Sequence, residues 1–329
     1  MQIELIIVIS LAMAFGLMNG MRDSSNIVAT MITSYAFRPR TALVITALAE
    51  FVGPFLFGVV VARTIGNDVV DAKVLTLNVM VACLVGAIAW NLITWMVGFP
   101  GSSSHALIGG LIGAVLVSAG PGAVKVYGLV KILIALFALP VVSFIFGFVI
   151  TRLIYFLSRN ATPRVNIIFK RGQLFTALAM ALSHGANDAQ KTMGIITLCL
   201  IISGSLASFS IPTWVVVSSA AGIGIGTLFG GSKMIRTIGG RFFRIRPVHS
   251  FSTQLSSSII LLTASFLGMP VSTSHVVSSA IIGVGSSERP GKVRWSVAGD
   301  ILVSWLVTIP ISALLSMGVY WLVGLVFGR

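Results

Sequence analysis

Residues 98–105 read Gly-Phe-Pro-Gly-Ser-Ser-Ser-His, and residues 268–275 read Gly-Met-Pro-Val-Ser-Thr-Ser-His. The offset is 170 residues throughout and carries on to Gly113 and Gly283. A second pair of strings precedes these: Gly20-Met21-Arg22-Asp23-Ser24-Ser25-Asn26 and Gly185-Ala186-Asn187-Asp188-Ala189-Gln190-Lys191. Aspartate and histidine are 82 residues apart in the first half (23 to 105) and 87 in the second (188 to 275). The chain therefore reads as two related halves, each with an Asp motif followed by a Ser motif.

The medium around these motifs is apolar. Of the 329 residues, 56% are hydrophobic and 9% charged, and the mean hydropathy is +1.03. A soluble domain carries about 25% charged residues, so this composition excludes a cytosolic enzyme, a disordered chain and a secreted disulfide scaffold. Cys83 and Cys199 both fall inside apolar runs and make neither a metal spacing nor a disulfide framework. The net charge of +14 suits basic cytoplasmic loops better than nucleic-acid binding. The first 20 residues have only Glu4 as a charge and read as a membrane segment, not a cleaved leader.

Apolar runs lie near 3–34, 41–62, 74–97, 100–118, 126–157, 173–203, 211–231, 250–267, 268–285 and 295–327. That predicts an all-α polytopic membrane protein with ten helical elements, at about 20 residues per crossing. Residues 1–157 form a first repeat of five elements, 158–172 a basic cytoplasmic linker, and 173–329 a second repeat. Five is odd, so the second repeat is expected to be inverted. With the N-terminus outside, 15 basic residues fall on inner loops and 5 on the outer side, as the positive-inside rule expects. The short Ser-rich elements are expected to be broken or re-entrant helices at the midplane. Kinks are expected at Pro140 and Pro310.

Ionisable groups inside apolar segments mark a site. They are Arg22, Asp23, Glu50, Asp188 and Lys191, with His105, His184 and His275 nearby. Each aspartate sits at a Gly-flanked interruption, where the helix is expected to break. Ser102, Ser103 and Ser104, and Ser272, Thr273 and Ser274, follow a proline at the start of a helix-like run. Helix N-termini present free N–H groups and hydroxyls add donors, a combination suited to an oxyanion. Two such loops from inverted halves converge in secondary transporters.

These strings carry a resemblance. HGANDAQKTMG (184–194), GMPVSTSH (268–275) and GFPGSSSHALIGG (98–110) resemble the signatures of the inorganic phosphate transporter (PiT) family. NGMRDSSNIVAT (19–30) and AEFVGPFLFG (49–58) are similar to its first motif and its glutamate-bearing segment. The resemblance implies symport of inorganic phosphate with Na⁺ or H⁺, an inverted-repeat fold, a homodimer in the bilayer and no resident cofactor. By the same resemblance, Asp23, Asn26, Asp188 and the Ser/Thr residues of both loops line the substrate and ion site. The first motif departs from the family in carrying Arg22 where Asn or His is usual.

The substrate side is expected to comprise Ser102, Ser103, Ser104, Ser272, Thr273, Ser274, Asn187, Gln190 and Lys191. The coupling side comprises Asp23, Asn26, Asp188 and Glu50, with a Na⁺ site at Asp23, Asn26 and Asp188 as one version. Arg22, His105, His184 and His275 have no assigned side. Arg22 and Lys191 balance Asp23 and Asp188, which favours protons over sodium, with a divalent metal travelling with phosphate as an alternative. Sulfate or another oxyanion is the alternative cargo. An anion channel and an intramembrane hydrolase are the other classes. A hydrolase is disfavoured because adjacent Ser and His on one helix cannot easily pair as nucleophile and base. The expected location is the plasma membrane of a prokaryote.

Overall fold

The computed structural model describes residues 2–67, 74–99, 101–230 and 245–327. Pro100 of the first Ser motif lies outside them, as do Lys73, Lys233, Arg236, Arg241, Arg244 and Arg329 of the charge comparison. The described chain is all-helical. Its helices are α1 (Gln2–Thr33), α2 (Pro39–Phe57), α3 (Val60–Asn67), α4 (Leu77–Val97), α5 (Ser103–Ala119) and α6 (Val126–Leu157). They continue with α7 (Val165–Ile202), α8 (Thr213–Leu228), α9 (Pro247–Phe266), α10 (Thr273–Glu288) and α11 (Trp295–Phe327). Five of them contain stretches long and apolar enough to cross a membrane: Ile3–Thr33, Pro39–Phe57, Leu77–Val97, Phe137–Leu157 and Ala298–Leu325.

Burial is inverted relative to a water-soluble protein. In α9, Ser252, Thr253, Gln254, Ser256 and Ser257 are buried while Ile259 and Phe266 are exposed. On α6 and α11, Ile134, Val141, Val149, Leu153, Leu302 and Leu306 face outward. Apolar faces of this extent suit hydrocarbon surroundings, where polar groups must find partners inside the protein.

Contacts pair helices across the two motif-bearing parts of the sequence. Helix α5 of the first half lies on α11 of the second, and α10 of the second half lies on α6 of the first. The same exchange links α1 to α8 and α7 to α2. Small residues make it possible. A Cβ on Gly113 would strike the backbone at Ala313, and one on Gly283 would strike the backbone at Phe144, so α5 and α10 approach their exchanged partners backbone to backbone.

Three expectations change. First, α1 and α7 run without interruption through Asp23 and Asp188. The motif glycines serve close packing instead, Gly20 against the Ile223 backbone and Gly185 against the Glu50 backbone. Second, the run read as one element over 41–62 is divided at Gly58, which has φ +76°, into α2 and α3. Third, the last eight residues of the segment read as a linker over 158–172 are the first turns of α7.

The chain does break at the two Ser motifs. Gly98 (φ +76°) ends α4 and Gly268 (φ +67°) follows the end of α9. Both adopt the left-handed conformation that disfavours any residue with a Cβ. Ser102 then caps α5 by accepting the His105 N–H at 3.2 Å. Ser272 holds the same position before α10 without a side-chain cap.

Candidate functional site

The two Ser loops and the two Asp motifs meet in one buried cluster. Ser103 Oγ donates to Asp23 Oδ2 at 2.7 Å, and Ser274 Oγ donates to Asp23 Oδ1 at 2.9 Å. Asp23 thus binds a hydroxyl from each half. Asn26 Nδ2 donates to Ser274 Oγ at 3.2 Å, and its Oδ1 has no hydrogen-bond partner among the described residues.

Asp188 is held differently. Lys191 Nζ donates to its Oδ1 at 2.6 Å and to the Val271 carbonyl at 2.9 Å. Thr273 Oγ1 reaches the same carboxylate oxygen at 3.5 Å, and Ser104 Oγ goes to the Val271 carbonyl at 3.0 Å. His184 stands between two acids, with Nδ1 2.7 Å from Glu50 Oε1 and Nε2 3.3 Å from Asp188 Oδ2. Thr227 Oγ1 donates to the other Glu50 oxygen. Glu50, His184, Asp188 and Lys191 therefore form a buried chain of ionisable groups. Such a chain can store a proton or pass it along without meeting lipid.

Other expected residues take supporting places. Asn187 Nδ2 donates to Ser265 Oγ at 3.1 Å and to the Met269 carbonyl at 3.3 Å, while its Oδ1 accepts the Val271 N–H at 3.4 Å. It fastens the second loop. Gln190 Oε1 accepts the Val61 N–H at 2.7 Å and ties α7 to α3. His105 and His275 meet with ring centroids 4.5 Å apart, and His275 stacks on Trp305 at 3.8 Å. Arg22 is buried and donates to Asn91 Oδ1.

A cation could sit at this centre in two ways. Asp23, His184 and Asp188 each offer a ligand atom, all within 4.8 Å of one another. The Na⁺ set read from sequence named Asn26 where this cluster has His184. Hard cations take oxygen ligands, so Asp23, Asn26 Oδ1 and the serine oxygens suit sodium, whereas the His184 set suits a divalent transition metal.

Sequence reading missed Thr227, Asn91, Ser304 and Thr308. Each is a polar residue inside an apolar run. Single hydroxyls and amides are common in membrane helices as packing groups, so only their tertiary surroundings distinguish these four.

The profile described as "Phosphate transporter family" matches residues 19–316. The chain is 41% identical over 326 residues to the "Probable low-affinity inorganic phosphate transporter" of Bacillus subtilis (strain 168), covering 98% of each. It is 40% identical to the protein of the same description from Rhizobium meliloti (strain 1021), covering 97% of this chain and 96% of that one. A solved structure titled "The sodium-dependent phosphate transporter" superposes with a TM-score of 0.88 at 26% identity, covering 98% of this chain and 99% of that chain. A profile match over most of the chain, bacterial relatives along its whole length and the long apolar helices lead to one conclusion: the chain belongs to the phosphate transporter family, as a multi-pass plasma-membrane transporter and not an enzyme.

Proposed function

We propose that this chain is an ion-coupled symporter that binds inorganic phosphate between its two Ser loops and carries it across the membrane by alternating access. The observation behind this reading is the convergence of Asp23, Asp188, Ser103, Thr273 and Ser274 in one buried cluster. The exchange of α5 and α10 between halves supports an inverted repeat over 1–157 and 173–329 that rocks about this cluster. In the arrangement described, Ser103 and Ser274 are committed to Asp23. Phosphate binding then requires that the carboxylates be neutralised, so that the hydroxyls can turn to the incoming anion. Two like charges 4 Å apart repel by about 4 kcal/mol at an effective dielectric near 20, so anion and bare carboxylates do not share the site.

Protons are the coupling ion this geometry favours. Lys191 places an ammonium on Asp188 and the Val271 carbonyl, where a free cation would otherwise be needed. Glu50 and His184 adjoin it as the group that loads and releases a proton. A second reading rests on Asn26, whose open Oδ1 beside Asp23 suits one Na⁺. The working unit is a homodimer in the bilayer, whose exposed apolar faces on α6 and α11 require lipid or a second copy as cover.

Labelled phosphate uptake into proteoliposomes, with pH and sodium gradients imposed separately and sulfate as competitor, tests the whole reading. Accumulation driven by the pH gradient and insensitive to sulfate is expected. Downhill flux alone indicates a channel, and uptake that needs sodium while ignoring pH refutes proton coupling.

A further inference from the structure

The fold treats the two cations of the Asp motifs in opposite ways. Lys191 spends its ammonium on Asp188 and the Val271 carbonyl. Arg22 is also fully buried, but it gives only one nitrogen, Nη1, to Asn91. Its Nε and Nη2 have no hydrogen-bond partner among the described residues. Asp23, its neighbour in sequence, has both oxygens occupied by Ser103 and Ser274.

Gly101 lets the loop lie close against Nη2, because it carries no side chain to collide there. A Cβ on Gly101 would stand 2.7 Å from Arg22 Nη2, 3.5 Å from Thr308 Oγ1 and 3.6 Å from Ser304 Oγ. Ser304 Oγ and Asn91 Nδ2 also lack partners among the described residues. Thr308 is held in place, donating to the Ser304 carbonyl at 2.7 Å and accepting from Trp90 Nε1 at 3.2 Å. Arg22 of α1 and Ser304 of α11 thus bring unmet donors to the neighbourhood of Gly101, one of them on a guanidinium. A ligand with several acceptor oxygens satisfies such a set, and the planar guanidinium edge can bind two of those oxygens.

The second half holds no such spot at the matching position. Asn187 stands there, and both its side-chain atoms are bonded to the loop it fastens.

We propose that Arg22 and Ser304, beside Gly101, form an oxyanion seat next to the carboxylate centre, where phosphate docks before the Ser hydroxyls are released to it. The seat rests on the phosphate reading above. Its donors are free in the present arrangement, whereas those of Ser103, Ser104, Thr273 and Ser274 are committed to carboxylates and a carbonyl.

Calorimetric titration of inorganic phosphate into the full chain in lipid nanodiscs tests it. Misfolding lowers the stoichiometry, whereas loss of the seat raises Kd. Gly101→Ala and Arg22→Gln are each expected to raise Kd at least about tenfold, as loss of a hydrogen bond to a charged group does. Ser304→Ala is expected to raise it about threefold. Gly299→Ala, where a Cβ meets nothing within 4 Å, is expected to leave it unchanged. Unaltered Kd in Gly101→Ala and Arg22→Gln overturns the seat while sparing the phosphate reading. If either variant fails to fold, Ser304→Ala decides: a weakened Kd supports the seat and an unchanged one overturns it. Absence of phosphate binding by the unsubstituted protein overturns the phosphate reading itself.

Discussion

Asp23 and Asp188 occupy matching positions in the two halves, yet one is bound by neutral groups and the other by charged ones. Asp23 accepts from Ser103 and Ser274, one hydroxyl from each loop. At Asp188, the ammonium of Lys191 takes the position that Ser104 would fill by symmetry, and Ser104 turns to the Val271 carbonyl. The surroundings diverge likewise. Gly185 presses on the backbone of Glu50 and Gly20 on that of Ile223, so Ile223 stands where the other half has its acid. His184, bonded to Glu50, corresponds to Asn19, whose side chain has no hydrogen-bond partner among the described residues. Matching motifs are thus surrounded in two different ways. Asp23 lies in a socket of hydroxyls drawn from both halves, and Asp188 lies beside a cation and a chain of ionisable groups that includes Glu50 of the first half.

The largest expected effect separates the two aspartates by stability. Asp188→Asn leaves Lys191 buried without its carboxylate, which costs about 3–5 kcal/mol. Asp23→Asn removes an acceptor from two hydroxyls, at about 1–3 kcal/mol. Both variants are expected to lose phosphate uptake, but thermal unfolding should fall much further for Asp188→Asn. Equal losses of stability would break the comparison, and normal uptake by both variants would remove the aspartates from the site.

Lys191→Asn remakes the second half in the image of the first. Its uptake is expected to become sodium-dependent, rising about tenfold with an inward sodium gradient as one ion replaces one charge-assisted contact. Indifference to sodium would show that Lys191 is not a surrogate cation. Glu50→Gln should lower uptake several-fold and abolish its response to an imposed pH gradient, since a carboxamide cannot take up the proton. An intact pH response in proteoliposomes would move the coupling group elsewhere.

The smallest effect distinguishes the two loops. Ser103 sits 2.7 Å from its carboxylate and Thr273 3.5 Å from its own, beyond the usual range of such bonds. Ser103→Ala is expected to change half-saturation about tenfold and Thr273→Ala about two- to threefold, within the range for bonds to charged groups. Uptake titrated against phosphate concentration measures both.

Local chemistry determined much of this from sequence alone. Hydropathy and length set an all-helical membrane fold. The offset of 170 paired the Ser motifs, and Gly98 and Gly268 marked the breaks because their backbones need a residue without a Cβ. The charged residues of the site were visible because lipid makes any unexplained charge conspicuous. Sequence misplaced the breaks at Asp23 and Asp188, where a glycine for close packing looks the same as a glycine for a turn. Only the tertiary structure decided which group meets which. His184 finds Glu50 across 134 residues and Ser274 finds Asp23 across 251. The exchange of α5 and α10 between halves is likewise a matter of complementary surfaces. Partner choice at that separation depends on the packing of whole helices, and neither composition nor spacing encodes it. Arg22 shows this most clearly, since only the packing of distant helices brings its Nη2 to Gly101, Ser304 and Thr308.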